Sequence, residues 1–432
     1  MILYLCTNKK RGNIMSNNFF TNEILEKFEC LYGDVDSAKK RYSEAIETFK
    51  KLYTKDEFSV FSAPGRTEII GNHTDHQRGI AMAGSVNLDV IGIAAKNDSD
   101  IVKVISYGYD KEDVVNVNNL EISNKETGRS VSLVKGIVKA FTDKGYKIGG
   151  LDVYVTSNVL KGSGLSSSAA FEVLVATVIN YMYCDGKEDA VSIAKIGKFA
   201  ENVYFGKPCG LLDQLASSVG GFVCMDFKDP ENPTVEKINL DYKEKGYTLC
   251  ILDTGGNHSD LTGDYAQISS DLKKISAKFG KDVLREVDEA DFIKNIKTLR
   301  ETVSDRAVLR AFHVYNENKR VLKAKEFLKN GDFDGFLAIQ KQSGASSFKN
   351  LQNVFSAANN KEQGLTLALY LAEDILKDRG SYRVHGGGFA GTIQAFVPND
   401  LVDEYVKKTE AVFGEGKCYK LFIRPVGATK IK

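Results

Sequence analysis

The sequence predicts a mixed α/β protein (α+β type) of two domains, on three observations. Helical and strand-like patterns interleave along the whole chain, which points to packed layers of both. At 432 residues the chain exceeds what one hydrophobic core usually serves. The stretch "FKDPENPTVEKINLDYKEKG", residues 227–246, holds two of the six prolines and many charges, so it reads as surface loops beside a boundary. The expected domains are 1–226 and 227–432.

The elements follow in order. Between 36 and 53, Ala38, Tyr42, Ala45, Ile46, Phe49 and Leu52 fall on one helical face. "EFSVFSAP" alternates apolar and small residues like a strand over 57–62 and then meets Pro64. Further strand patterns occupy 85–95 and 151–156, the latter with Leu151, Val153 and Val155 at period two. "SAAFEVLVATVINYMY" reads as a buried helix because its apolar positions cover nearly all sides. A strand resumes at "YTLCILDT", and helices follow at 267–279 and about 306–329, the second closed by "KNGD". A helix near 362–377, a glycine-rich turn, a helix at 400–413 and a strand near 418–424 complete the chain.

Charge and composition narrow the function. The 58 Lys+Arg against 57 Asp+Glu leave a net charge of +1, which argues against a nucleic-acid footprint. Seven scattered cysteines lack CxxC or zinc spacing and read as reduced, mostly buried thiols of a cytoplasmic protein. No stretch reaches the roughly 18 apolar residues of a membrane span. The opening "MILYLCTNKKRGNIM" is too short in its apolar run for a signal segment, and Met15 stands as an alternative start to Met1.

Two segments look built for chemistry. "GRTEIIGNHTDH", residues 65–76, gathers an arginine, a glutamate, two histidines and an aspartate around Ile69 and Ile70. "LKGSGLSSSAAFEV", residues 160–173, sets Gly162 and Gly164 before Ser166, Ser167 and Ser168 at the start of a helix. Glycines admit an anion close to the backbone, and serine hydroxyls and N–H groups at the positive end of a helix dipole suit phosphate. Serine oxygens also complete a magnesium shell shared with phosphates. The loop lacks the Gly-Lys-Ser/Thr ending of a Walker A sequence.

On these residues the chain resembles the GHMP small-molecule kinases and, within them, the galactokinases. "GSGLSSSAA" is similar to the family's nucleotide loop, and "APGRTEIIGNHTDH" to the galactokinase sugar signature, whose usual form is Gly-Arg-x-Asn-φ-Ile-Gly-Glu-His-x-Asp-Tyr, with φ apolar. "CGLLDQLASSVGG", residues 209–221, resembles the segment carrying the catalytic aspartate. "HGGGFAGTIQAFVP", residues 385–398, resembles the third, glycine-rich motif. The four stand in the family's order.

The resemblance implies an N-terminal sugar- and ATP-binding domain with a mixed sheet and helices, and a C-terminal GHMP kinase domain of helices and antiparallel sheet. It implies transfer of phosphate from ATP to the C1 hydroxyl of a sugar, D-galactose leading. Arg66 and Asp213 take the catalytic positions, Asp213 orienting or deprotonating the hydroxyl while Arg66 offsets charge. Asn72, His73, Asp75, Gly210 and Tyr265 match sugar-contacting positions. Gly162, Ser163, Gly164, Leu165, Ser166, Ser167 and Ser168 match the nucleotide loop, and Glu201 with Ser167 or Ser168 the magnesium ligands. The implied partners are a small-molecule sugar and ATP, without nucleic acid or membrane, for a monomer or weak homo-oligomer. His258, His313 and His385, the last at the head of the third motif, read as packed histidines.

Four positions depart from the pattern. Glu68 replaces asparagine, Asn72 glutamate, His76 tyrosine, and Leu160 the proline of the phosphate loop. In galactokinases the glutamate at the position of Asn72 accepts the C6 hydroxyl. An amide keeps one acceptor, adds N–H donors and no longer repels a C6 carboxylate, so D-galacturonate or another C6-modified sugar is an alternative substrate. A mismatch of buried hydrogen bonds costs on the order of 10⁴-fold in a dry site. A non-catalytic galactokinase-like sensor is a further alternative, against which stand the intact Arg66, Asp213, Glu201 and three serines.

Overall fold

The structure, a computed structural model, describes residues 19–159, 164–240, 243–255 and 261–432. Two helices, Asn22–Tyr32 and Val35–Tyr53, lead into the first sheet. Ala38, Tyr42, Ala45 and Phe49 are buried as the periodicity predicts, whereas Leu52, in the last turn, stays exposed.

Strand β1, Ser59–Ile70, does not stop at Pro64. The pairing register slips between Pro64 and Arg66 and again between Glu68 and Ile70. Such bulges tolerate a missing N–H, and beyond Ser62 the strand has only one paired neighbour. Half of the "GRTEIIGNHTDH" motif is therefore strand. The neighbour, β2, is Ile80–Lys96, longer at its start than the 85–95 expected. β3 (Ile101–Ser106), β4 (Asp113–Asn116), β5 (Leu151–Ser157), β6 (Phe222–Asp226) and β7 (Thr234–Ile238) complete most of this sheet. Along one side β2 pairs with β1, and its other side is shared by β6 and β5. All pairs are antiparallel except β3 with β5.

The second sheet is antiparallel, in the order β11-β8-β10-β9, formed by β8 (Tyr247–Asp253), β9 (Ser381–Val384), β10 (Thr392–Pro398) and β11 (Cys418–Leu421). The helices Phe333–Ser346, Gly364–Leu376 and Val402–Phe413 pack on it, while Asp305–Lys329 packs on Phe333–Ser346 and on β2 of the first sheet, and Thr262–Ala277 packs on Asp305–Lys329. The last strand, β12 (Thr429–Lys430), returns to β1. The first sheet thus draws β7 and β12 from beyond residue 226.

The helix Ser167–Tyr183 is buried on nearly all sides and packs on β1 and β2. Its Leu174 lies against Gly92 so closely that a Cβ there would meet Leu174 Cδ2 at 3.1 Å. The short helix Leu212–Val219 packs beside it. Among the described residues the cysteines are free, Cys184, Cys224, Cys250 and Cys418 buried and Cys30 exposed, and no helix is long and apolar enough to cross a membrane.

Candidate active site

Three segments converge at one point. Arg66 comes from β1 just past the bulge, Asp213 from the first turn of Leu212–Val219, and Ser166 from the residue before Ser167–Tyr183. Arg66 Nε donates to Asp213 Oδ1 at 2.7 Å, and its Nη1 donates to the Gly164 carbonyl. The Ser166 hydroxyl donates to Asp213 Oδ2. The Arg66 N–H reaches the Leu165 carbonyl at 3.0 Å, and Ser217 Oγ donates to the Pro64 carbonyl at 2.7 Å. Strand, loop and helix are therefore bonded around the ion pair. The Asp213 side chain remains 36% exposed, so its carboxylate is open to a ligand.

Ser166 stands in the left-handed region at φ 52° and makes no side-chain cap on its own helix. Its hydroxyl goes to Asp213 instead, a role the sequence reading did not assign. Gly164 is exposed and Leu165 buried; Leu160, Gly162 and Ser163 lie outside the described residues.

Beyond the loop opens a cavity of about 770 Å³, lined among others by Ser167, Ser168, Glu201, Lys207, Tyr107 and Tyr109. That volume suits a nucleotide-sized ligand. Glu201 sits on a π-helical turn, Ala200–Phe205, and is buried. Lys207 Nζ donates to its Oε1 at 3.0 Å. Gln214 Nε2 lies 3.0 Å from both Glu201 Oε2 and Glu172 Oε2. Glu172 is fully buried and lines the same cavity; burial first, then the charge of Glu201, pushes its carboxyl up to about 9. Its Oε1 has no hydrogen-bond partner.

A magnesium ion needs only one or two carboxylates besides phosphate and water oxygens. Glu201, the serine hydroxyls and the orphaned Glu172 oxygen face one cavity, so the oxygen donors present fit such an ion. Among the described residues no three-residue His/Cys/Asp/Glu cluster would hold a metal by itself.

On the other side of the ion pair lies Asp75, in the turn after β1. Its desolvation acts upward, but His76, with Nδ1 3.4 Å from Oδ1, outweighs it and holds the carboxyl at about 2. Gly210 abuts it: a Cβ there would lie 3.0 Å from Asp75 Oδ2. Asp75 and Gly210 thus form one wall.

The other expected sugar contacts face inward. His73 Nε2 lies 2.8 Å from the Gly387 carbonyl, and burial lowers the ring to about 4, so it is neutral and donates that bond. Tyr265 donates its hydroxyl to the Gly388 carbonyl at 2.8 Å. Asn72 is only 1% exposed. Its Nδ2 donates to Glu68 Oε1 at 2.9 Å and to the Gly386 carbonyl at 2.7 Å, and its Oδ1 accepts from Asn353 at 2.7 Å. In this conformation Asn72, His73 and Tyr265 clasp the glycine-rich loop, with Asn72 offering the cleft no free donor.

Known proteins resemble this chain over most of its length. A family model described as the GHMP kinases N terminal domain matches residues 132–221, and the galactokinase galactose-binding signature matches residues 47–96. The galactokinase of Streptomyces coelicolor is 30% identical, with 85% of this chain and 92% of that one covered. That of Glaesserella parasuis is 31% identical, over 79% and 85% of the two chains. This chain belongs to the galactokinase family of GHMP kinases. The fold agrees: the crystal structure of Lactococcus lactis galactokinase complexed with galactose superposes with a TM-score of 0.74 at 24% identity, covering 90% of this chain and 99% of that one. The Methanococcus jannaschii mevalonate kinase gives 0.61 at 13% identity, over 85% and 99%.

In this member of the family the extra histidines are structural. His313 bonds Ser346 Oγ at 3.0 Å and the Asn72 carbonyl at 2.9 Å. His385 bonds Thr67 Oγ1 at 3.0 Å and Thr392 Oγ1 at 2.9 Å. His258 lies outside the described residues. The sequence reading missed Gln214, though it directly follows Asp213 in the quoted motif, and Glu172, hidden in an apolar helix.

Proposed function

We propose that the protein is a galactokinase, transferring the γ-phosphoryl group of ATP to the C1 hydroxyl of D-galactose to give galactose 1-phosphate and ADP. The observation that carries this reading is the solvent-open Asp213 carboxylate, held by Arg66 and Ser166 between the Asp75–Gly210 wall and the cavity behind the serines.

Phosphoryl transfer asks mainly for positioning and charge stabilisation. In this reading the C1 hydroxyl takes the place of Ser166 at Asp213 Oδ2, and Asp213 fixes its direction and accepts its proton as the bond to phosphorus forms. Arg66 stays on Oδ1 and offsets charge on the transferring group. Asp75, ionised, accepts hydrogen bonds from adjacent sugar hydroxyls, and Gly210 leaves room for them. The nucleotide loop, Gly162 to Ser168, takes the phosphates. Magnesium would supply charge neutralisation for the phosphates, and Glu201 with Ser167 or Ser168 would hold it. The reading includes a cytoplasmic monomer or weak homo-oligomer. Against a sensor that binds without transferring speaks the assembled Arg66–Asp213 pair.

The test is ADP release with Mg-ATP on D-galactose, D-galacturonate, D-glucose and L-arabinose, with Asp213→Ala as the blank. Turnover on galactose, falling by about 10³-fold or more in the variant, is the expected result. Silence on every sugar despite saturable ATP binding overturns the reading in favour of a sensor.

A further inference from the structure

Asn72 is closed off by its own hydrogen bonds, and a carboxylate, Glu68, stands two residues beyond Arg66. The β1–β2 register is unbroken from Arg66 to Glu68, so the two side chains share one face of the strand, about 6.5 Å apart along it. Burial raises the Glu68 carboxyl above its usual value against the pull of Arg383 and Arg66, and the charge of Asp75 acts on it as well. Its Oε1 is pinned, accepting from Asn72 Nδ2 at 2.9 Å and from the fully buried Arg383 at 3.3 Å. Oε2 accepts no hydrogen bond among the described residues, and with the side chain 12% exposed it is the oxygen left to face the cleft.

Asn72 is held as firmly. It joins Glu68 to the glycine-rich loop through the Gly386 carbonyl and to Asn353, whose Nδ2 also reaches the Gly387 carbonyl at 3.1 Å. Compared with the usual signature, amide and carboxylate have exchanged positions 68 and 72, and the two exchanged side chains touch. The site therefore keeps one of each.

We propose that Glu68 is the specificity-determining carboxylate of the sugar site, its Oε2 accepting the hydroxymethyl O–H at the end of the hexose away from the transferring hydroxyl, with Asn72 as its buried brace. This rests on the galactose reading above. It deepens that reading by choosing the substrate class: a hexose with a C6 hydroxyl donor is favoured, while a C6 carboxylate would meet Glu68 and be repelled.

The experiment compares kcat/KM for D-galactose and 6-deoxy-D-galactose in the full-length wild type, Glu68→Gln and Glu68→Asp, with thermal melts of each. A site built to bond a hydroxyl rejects the analogue lacking it, so the wild type should prefer galactose by about 10²-fold or more. Glu68→Gln, a weaker acceptor, and Glu68→Asp, which keeps the charge beside Arg383 but withdraws it by one methylene, should each reduce that ratio about tenfold. A residue that only supports the fold would lower both rates together and leave the ratio alone. Folded variants with the wild-type ratio overturn the proposal, as does a wild type that turns over galactose and its 6-deoxy analogue equally. Both of those results leave the galactokinase reading standing. A wild type inert on galactose fails that reading, and this proposal with it.

Discussion

At Gly210 the proposed sugar site makes the absence of a side chain a functional requirement that composition alone would never suggest. A methyl group there would stand 3.0 Å from Asp75 Oδ2, in the space that this reading gives to a sugar hydroxyl. The backbone at Gly210 is not in the left-handed region, so alanine brings no conformational strain. Gly210→Ala should therefore fold normally, with a melting temperature within a few degrees of wild type. Its kcat/KM for the sugar should fall roughly 10–100-fold, mostly through KM, because sub-ångström misplacement of substrate is costly. An unchanged KM would mean that this wall does not touch sugar. Single residues were legible in the sequence where a motif fixed both type and place, as for Arg66 and Asp213, which the fold joins across 147 positions. Legibility failed where the partner decides the role. Glu68 and Asn72 each look like a separate loss from the sugar signature. Only their 2.9 Å contact shows one exchanged pair.

Among the elements, the helix Ser167–Tyr183 carries the heaviest structural duty, since its first turn presents the serines and its body is the floor beneath β1 and β2. Leu174 is fully buried against Gly92, where the sheet leaves space for it and nothing else. Leu174→Ala opens a cavity that glycine cannot fill, and an unfolding titration should show a loss of about 2–5 kcal/mol. A loss below about 1 kcal/mol would mean the helix resettles on the sheet. This helix was readable because its apolar residues cover every side. Other elements hid for equally physical reasons. β4 has four residues with only two buried positions, too short for a period to register. The helix Leu212–Val219 is polar in half its residues and only two turns long, so its apolar stripe of Leu212, Leu215, Ala216 and Val219 is too brief for a helical period to register. β1 was cut short at Pro64 because proline usually ends a strand, and the bulge that accommodates it depends on β2, distant in sequence.

Over the whole molecule, the two halves of the site are tied by neutral histidines. His73 bonds the Gly387 carbonyl, His313 the Asn72 carbonyl, and His385 joins Thr67 of β1 to Thr392 of β10. Each tie joins the β1 motif to residues of the C-terminal half. Burial depresses all three rings: His73 to about 4, His313 below the usual value of 6.5, and His385 well below it, with Arg66 and Arg383 adding to the effect at His385. In the unfolded chain the same rings titrate near 6.5. Below that pH the unfolded state binds more protons than the folded one, so stability rises with pH through this window. The contribution is therefore complete above about pH 6.5 and is lost as pH falls toward 4. Asp75 and Glu317, both held near 2, begin to act only at the acid end of the histidine window, from about pH 4.5 downward and so below the pH 7 to 5 interval. Glu172, raised to about 9, holds a proton in the folded state alone over this interval and opposes the three histidines, which outnumber it. The expected result is a melting temperature that drops by a few degrees between pH 7 and pH 5. His313→Gln, which keeps a donor and an acceptor but cannot titrate, should show a shallower drop over the same interval even if it is less stable at pH 7. Parallel curves for the two proteins would mean that His313 binds its proton equally well folded and unfolded, and that acid loosens the junction between the halves elsewhere.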